Sequence, residues 1–135
     1  FAALEVATGI VNAKTTQTKT RVDFIAYMDE LVEEYGKDTA LHVILDNYCT
    51  HKKNDKWLED NKNVTFHYTP TSASWLNLVE VWFGIFTRKS LNGASFSSTQ
   101  KLCEHIKAYV DSVNQNPIPF IWKKREVKGS QLKII

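Results

Sequence analysis

Apolar and polar positions along this chain change period several times, and each change marks an element. "FAALEVATGIVNAKT" alternates as two short strands around a turn at Thr8 and Gly9, a hairpin signal. Thr20 then suits the cap of a helix whose apolar positions Val22, Ile25, Ala26, Met28, Leu31 and Val32 approximate a 3.6 period, with Gly36 as its end. In "LHVILDN" the residues Leu41, Val43 and Leu45 line one strand face and His42, Ile44 and Asp46 the other. The near-continuous apolarity predicts a strand buried on both faces. Thr50 is placed to cap a short polar helix reaching about Asn61, with Trp57 and Leu58 facing inward. "VTFHY" is a further strand, bounded by Pro70. The longest helix is expected from Ser74 to Leu91, stopped by Asn92 and Gly93. Ser97 or Ser98 caps a last one to about Asn114, and "NPIP" breaks it. Strands interleaved with helices predict an α/β fold, a mixed sheet flanked by helices.

A length of 135 residues fits one domain with a real core, and 43% hydrophobic with 24% charged residues is ordinary for a globular protein. No apolar run approaches a membrane span, so no membrane partner is expected. Cys49 and Cys103 have no CxxC spacing and make no disulfide framework, which predicts a reducing, cytoplasmic setting. A net charge of +2 does not announce nucleic acid. The charges are nonetheless uneven, with Asp23, Asp29, Glu30, Glu33, Glu34 and Asp38 in one segment. Lys123, Lys124, Arg125, Lys128 and Lys133 stand near the end, a tail that could touch phosphates or simply be solvated. The opening "FAALEVATG" has no initiator methionine, so a longer parent chain is expected.

Two carboxylates stand out. Asp46 closes a predicted buried strand, and ligands of open α/β sheets gather outside such ends. Glu80 is the one carboxylate within the greasy "SWLNLVEVWFGIF". Residues three and four apart share a helix face, so Asn77, Glu80, Gly84, Thr87 and Arg88 form a narrow polar stripe on an otherwise apolar helix. Either the stripe is the solvent side of a mostly buried helix, or it lines a cleft in which Glu80 faces Asp46. In the second case a metal ion is a natural reason to keep both acids. Paired carboxylates suit Mg²⁺ or Mn²⁺, and two such ions can clamp the attacking and leaving oxygens of a phosphodiester.

"ILDNYCTH" followed by "FHYTPTSASWLNLVEVWFG" resembles the catalytic domain of insertion-sequence transposases of the mariner-like superfamily, over nearly the whole chain from "FAALEVATG" to "NPIPFIWKK". These are DDE enzymes, named for an Asp-Asp-Glu triad, with a ribonuclease-H-like fold. The resemblance implies that Asp46 is the second acid and Glu80 the third, 34 positions on. It implies DNA as partner, both transposon ends and target, with two Mg²⁺ or Mn²⁺ ions in the complete enzyme. It further implies cleavage by water at the transposon end followed by strand transfer, carried out by a homo-oligomer at the nucleoid. Asp46 would bridge the two ions and Glu80 would hold one. Asn47, His51 and Asn77 match the motifs as supporting residues, and Arg88 and Lys89 become DNA-contact candidates.

The first acid of such a triad belongs to a strand upstream of the hairpin, and no residue here matches it; Glu5 falls inside the hairpin. The expectation is therefore a partial catalytic domain over residues 1–122, lacking its first, central strand, followed by a basic tail over 123–135. Helix-turn-helix modules that recognise transposon ends have no counterpart either. The alternative is a catalytically inactive remnant, a DNA-binding or oligomerising module at most. Without the central strand, the free strand edges are expected to pair with a second copy or to rearrange. Cys49 beside His51 does not make a thiol protease, since sequence neighbours are rarely a catalytic pair. His42, His67 and His105 are scattered and lack zinc-site spacing. Trp75 and Trp82 read as core.

Overall fold

Thr20 and Asp23 form a reciprocal capping box that starts the first helix. The Thr20 hydroxyl accepts from the Asp23 N–H, and the Asp23 carboxylate accepts from the Thr20 N–H at 2.8 Å. Hydrogen bonds from Thr18 and Thr20 hold that carboxyl below its ordinary range. This helix, α1 (Arg21–Tyr35), ends where Gly36 takes a positive φ of 85°.

The structure is a computed structural model and describes residues 1–46, 54–70 and 78–120. In chain order it runs β1 (Ala2–Leu4), β2 (Val11–Ala13), α1, β3 (Leu41–Leu45), α2 (Asp55–Asp60), β4 (Val64–Tyr68), α3 (Leu78–Phe86) and α4 (Thr99–Gln115). A π-wound turn, Thr87–Leu91, continues α3 before Gly93, again with positive φ. Ser98 caps α4 by accepting from the Lys101 N–H, as expected. Asn54, not Thr50, precedes α2; Thr50 lies outside the described residues, as do Ser74 and Trp75.

β1 and β2 pair antiparallel, Ala2 opposite Ala13, while β3 and β4 pair in parallel, Leu41 opposite Val64. Among the described residues these are two separate two-stranded sheets, where a mixed sheet lacking its first, central strand was expected. α1 covers both. Its stripe Phe24, Tyr27, Met28, Leu31 and Val32 packs on Leu45 and Val64, with Phe1 and Ala3 of the hairpin also against it. The alternate hairpin residues Ala2, Leu4 and Val11 face Trp82 and Phe86 of α3 and Val110 of α4. The hairpin is thus sandwiched between helices on both sides, because a period of two sends successive side chains to opposite faces.

Two burial expectations are corrected. Val22 is 78% exposed and Ala26 is exposed, whereas Phe24 and Tyr27 are buried. The larger aromatic pair rotates the helix so that the 24–27–28–31 stripe faces inward. Among the described residues β3 is covered on one face only. Leu41, Val43 and Leu45 pack beneath α1, but His42 and Ile44 are exposed on the other face, Ile44 at 48%. Trp57 and Leu58 of α2 are half-buried against the α1 core; Trp57 stacks on Phe66 and donates its indole N–H to Asp29 at 2.7 Å.

Candidate active site

Parallel pairing with β4 fixes β3 along its whole length, and Asp46 is the first residue past its C-terminal end. Asp46 is half-buried and lines a cleft of about 760 Å³. Trp82, Phe83 and Phe86 of α3 form one wall, Leu102 and Ile106 of α4 continue it, and the loop from Lys14 to Lys19 forms the rim. Among the described residues lining the cleft, Asp46 is the one carboxylate. The rim offers two lysines and three threonine hydroxyls. Lys14 is ion-paired with Glu30.

Glu80 sits in the first turn of α3, half-buried. α3 is oriented by Trp82 and Phe86, the two residues it buries, whose rings stack at 5.6 Å beneath Tyr109 of α4. Two residues before Trp82, Glu80 lies roughly 200° around the helix from it. It does not line the Asp46 cleft, and it makes no hydrogen bond or ion pair among the described residues. Asp46 therefore shares a cleft with α3, on the side of Trp82, Phe83 and Phe86.

The stripe carrying Glu80 continues through Gly84 to Arg88. Arg88 Nη1 lies 3.4 Å from the position a Cβ on Gly84 would occupy, so its guanidinium folds back along the helix toward the Glu80 turn. Arg88 and Lys89 are exposed in the π-wound turn. That turn is anchored by Ser90, whose hydroxyl is 2.6 Å from His105 Nε2 on α4. Phe86 and Phe96 flank the His105 ring.

Asn47, His51, Asn77 and Cys49 lie outside the described residues. Among the described residues no group of three His, Cys, Asp or Glu side chains is arranged to hold an ion. The donor chemistry of Asp46 and Glu80 still fits a hard cation, because Mg²⁺ is commonly held by one or two carboxylates together with waters and substrate phosphates. No helix among the described residues is long and apolar enough to cross a membrane.

Sequence reasoning missed the Lys14–Lys19 rim, which is apparent only once the hairpin packs beside α3. It also set His42 and His67 apart, yet they meet across β3 and β4, with His42 Nδ1 3.0 Å from His67 Nε2. Their places as second and fourth residues of two strands were the available signal.

Residues 1–103 match the family described as DDE superfamily endonuclease. The chain is also 27% identical over 118 residues to the insertion element IS630 uncharacterized 39 kDa protein of Shigella sonnei, an alignment covering 85% of this chain and 34% of that relative. The chain thus spans about a third of the length of the curated relative it matches. No solved structure matches. With its strand-end aspartate, its glutamate-bearing helix and a family match over most of its length, the chain belongs to the DDE superfamily endonucleases.

Proposed function

We propose that the chain is the C-terminal part of a transposase catalytic domain, cleaving DNA phosphodiesters at transposon ends and joining them to target DNA. The observation that supports this reading is Asp46 at the end of β3, in a cleft walled in part by the helix that bears Glu80, within the family-matched residues. Asp46 and Glu80 are the residues that would hold Mg²⁺ or Mn²⁺. When bound, such ions polarise the phosphoryl group and stabilise charge on the attacking and leaving oxygens.

Arg88 and Lys89 bind backbone phosphates and position the strand; Asn47, His51 and Asn77 orient the acids and the reacting groups. A third carboxylate comes from a strand preceding Phe1 in a longer chain. That strand joins the hairpin and the parallel pair into one ribonuclease-H-like mixed sheet across residues 1–122, with 123–135 as a basic tail. Among the described residues β1 and β3 each pair along one edge only, and both pack against α1, which supports this arrangement.

The second reading is a catalytically inactive remnant that binds DNA or oligomerises only. The test is Mn²⁺-dependent nicking and strand transfer on transposon-end DNA, run with this chain and with a version extended upstream. Activity in the extended chain that is abolished by Asp46→Asn and by Glu80→Gln supports the transposase. A folded extended chain that binds DNA but never cleaves it leaves the remnant.

A further inference from the structure

We propose that His42 and His67 form a two-imidazole site for one borderline divalent transition ion, of the Zn²⁺ or Cu²⁺ class, which ties β3 to β4 on the face that α1 leaves open. It is independent of Asp46, Glu80 and the transposase reading.

The backbone ladder sets up the pair. His42 lies opposite Thr65 and His67 opposite Ile44, so both rings stand on the same face of the parallel sheet, one step apart in register. That face is solvent-accessible: His42, Ile44, Thr65 and His67 are all exposed. The ring centres are 5.3 Å apart, whereas Nδ1 of His42 and Nε2 of His67 are only 3.0 Å apart, so these two nitrogens point toward each other between the rings. One N–H donates to the other ring's lone pair.

Two nitrogen ligands about 2.0–2.1 Å from a tetrahedral ion stand about 3.4 Å apart. The facing nitrogens therefore need to part by only a few tenths of an ångström, which exposed rings achieve by turning on their side-chain torsions. The proton between them moves to the outer nitrogen of its own ring. Both facing nitrogens then offer lone pairs, with no net proton gained or lost from the neutral pair. The outer N–H groups are left to water. Imidazole donors select zinc, copper or nickel over the hard magnesium and manganese that carboxylates prefer. Because the described residues supply no third ligand, water completes the coordination and the ion is exchangeable. Its binding stabilises the β3–β4 pairing by mass action, since an unfolded chain does not hold the two rings together.

The test is a Zn²⁺ titration of the whole chain at neutral pH in excess Mg²⁺, followed by calorimetry and by the ring-nitrogen NMR shifts of the histidines. The expected result is one ion per chain, with large shifts at His42 Nδ1 and His67 Nε2. Affinity should weaken roughly tenfold or more in His42→Gln and in His67→Gln, but not in His105→Ala. Binding unchanged in either glutamine variant, or zinc shifts confined to other residues, overturns the site, as does a folded chain that binds no zinc. Should a glutamine variant fail to fold, the nitrogen shifts of the unaltered chain decide alone.

Discussion

Asn114 holds Val11 by both ends of its side-chain amide. Its Oδ1 accepts from the Val11 N–H at 2.9 Å, and its Nδ2 donates to the Val11 carbonyl at 2.7 Å. A single side chain from the last turn of α4 thus reproduces the bonding of a neighbouring strand on the outer edge of β2, at a residue only 1% exposed. An edge satisfied in this way is closed to further strand pairing.

Asn114→Ala leaves both Val11 groups without partners in a largely buried setting, and is expected to destabilise the fold by about 2 kcal/mol. Asn114→Asp keeps the acceptor for the N–H but sets a carboxylate against the carbonyl, so it should recover little. Urea denaturation of the three chains measures this; a loss below about 0.5 kcal/mol for the alanine variant would show that water replaces the amide.

The orientation of α1 gives a paired test. Phe24→Ala should remove about 3–5 kcal/mol, as aromatic truncations in cores do. Val22→Lys, at a position 78% exposed, should stay within about 0.5 kcal/mol. Equal losses at both positions would put the helix in another rotation.

Alkaline pH should unfold the protein through its tyrosines. Burial raises the phenol of Tyr27 above its ordinary value. Burial, then the hydrogen bond its hydroxyl donates to Glu5 at 3.0 Å, raises Tyr35 from 10.0 to about 12. Because the folded values are the higher ones, the stabilisation is complete below pH about 10 and is lost as pH climbs through about 12. Tyr35→Phe should flatten part of that fall and leave the contribution of Tyr27. Guanidinium midpoints across this range, beside phenolate absorbance, measure it; a flat profile up to pH about 12 would contradict the assignment.

Gly9 and Gly93 separate two effects that are usually mixed. Both have positive φ, 79° and 73°. A Cβ on Gly9 would lie 2.1 Å from the Ile118 carbonyl oxygen, whereas one on Gly93 meets nothing within 4 Å. Gly93→Ala should therefore cost only the backbone penalty, about 1–2 kcal/mol. Gly9→Ala should exceed it and displace the segment 117–120 from the hairpin turn. Thermal melts with amide exchange at Ile118 and Phe120 compare them, and equal losses would mean that the segment yields freely.

Local patterns made much of this legible in the chain. The alternation in "LHVILD" gives β3 and sets Asp46 at its end, and Thr20, Gly36 and Ser98 mark helix limits by chemistry that needs no distant partner. What failed to show depends on partners far along the chain. Val22 and Phe24 compete for the same helix, and only the packing of α1 against two sheets decides between them. Ile44 looks like core until the layer that would cover it is seen to be absent among the described residues. The direction of Glu80 follows from how Trp82 and Phe86 seat on Val11 and Val110, which no spacing within α3 reveals.

The position of α1 between the two sheets also gives the molecule an order in time. It follows the hairpin directly and precedes β3 directly, so both sheets reach it through short loops. The Asn114 grip on Val11, by contrast, closes across 103 residues. Short closures are the faster ones. Refolding should then protect the amides of α1 first and those of α4 last, with the hairpin edge briefly bare in between. Pulse-labelled exchange that found α4 protected ahead of α1 would reverse that history. If the order holds, the danger of strand-to-strand sticking is greatest in that interval, before the final helix arrives.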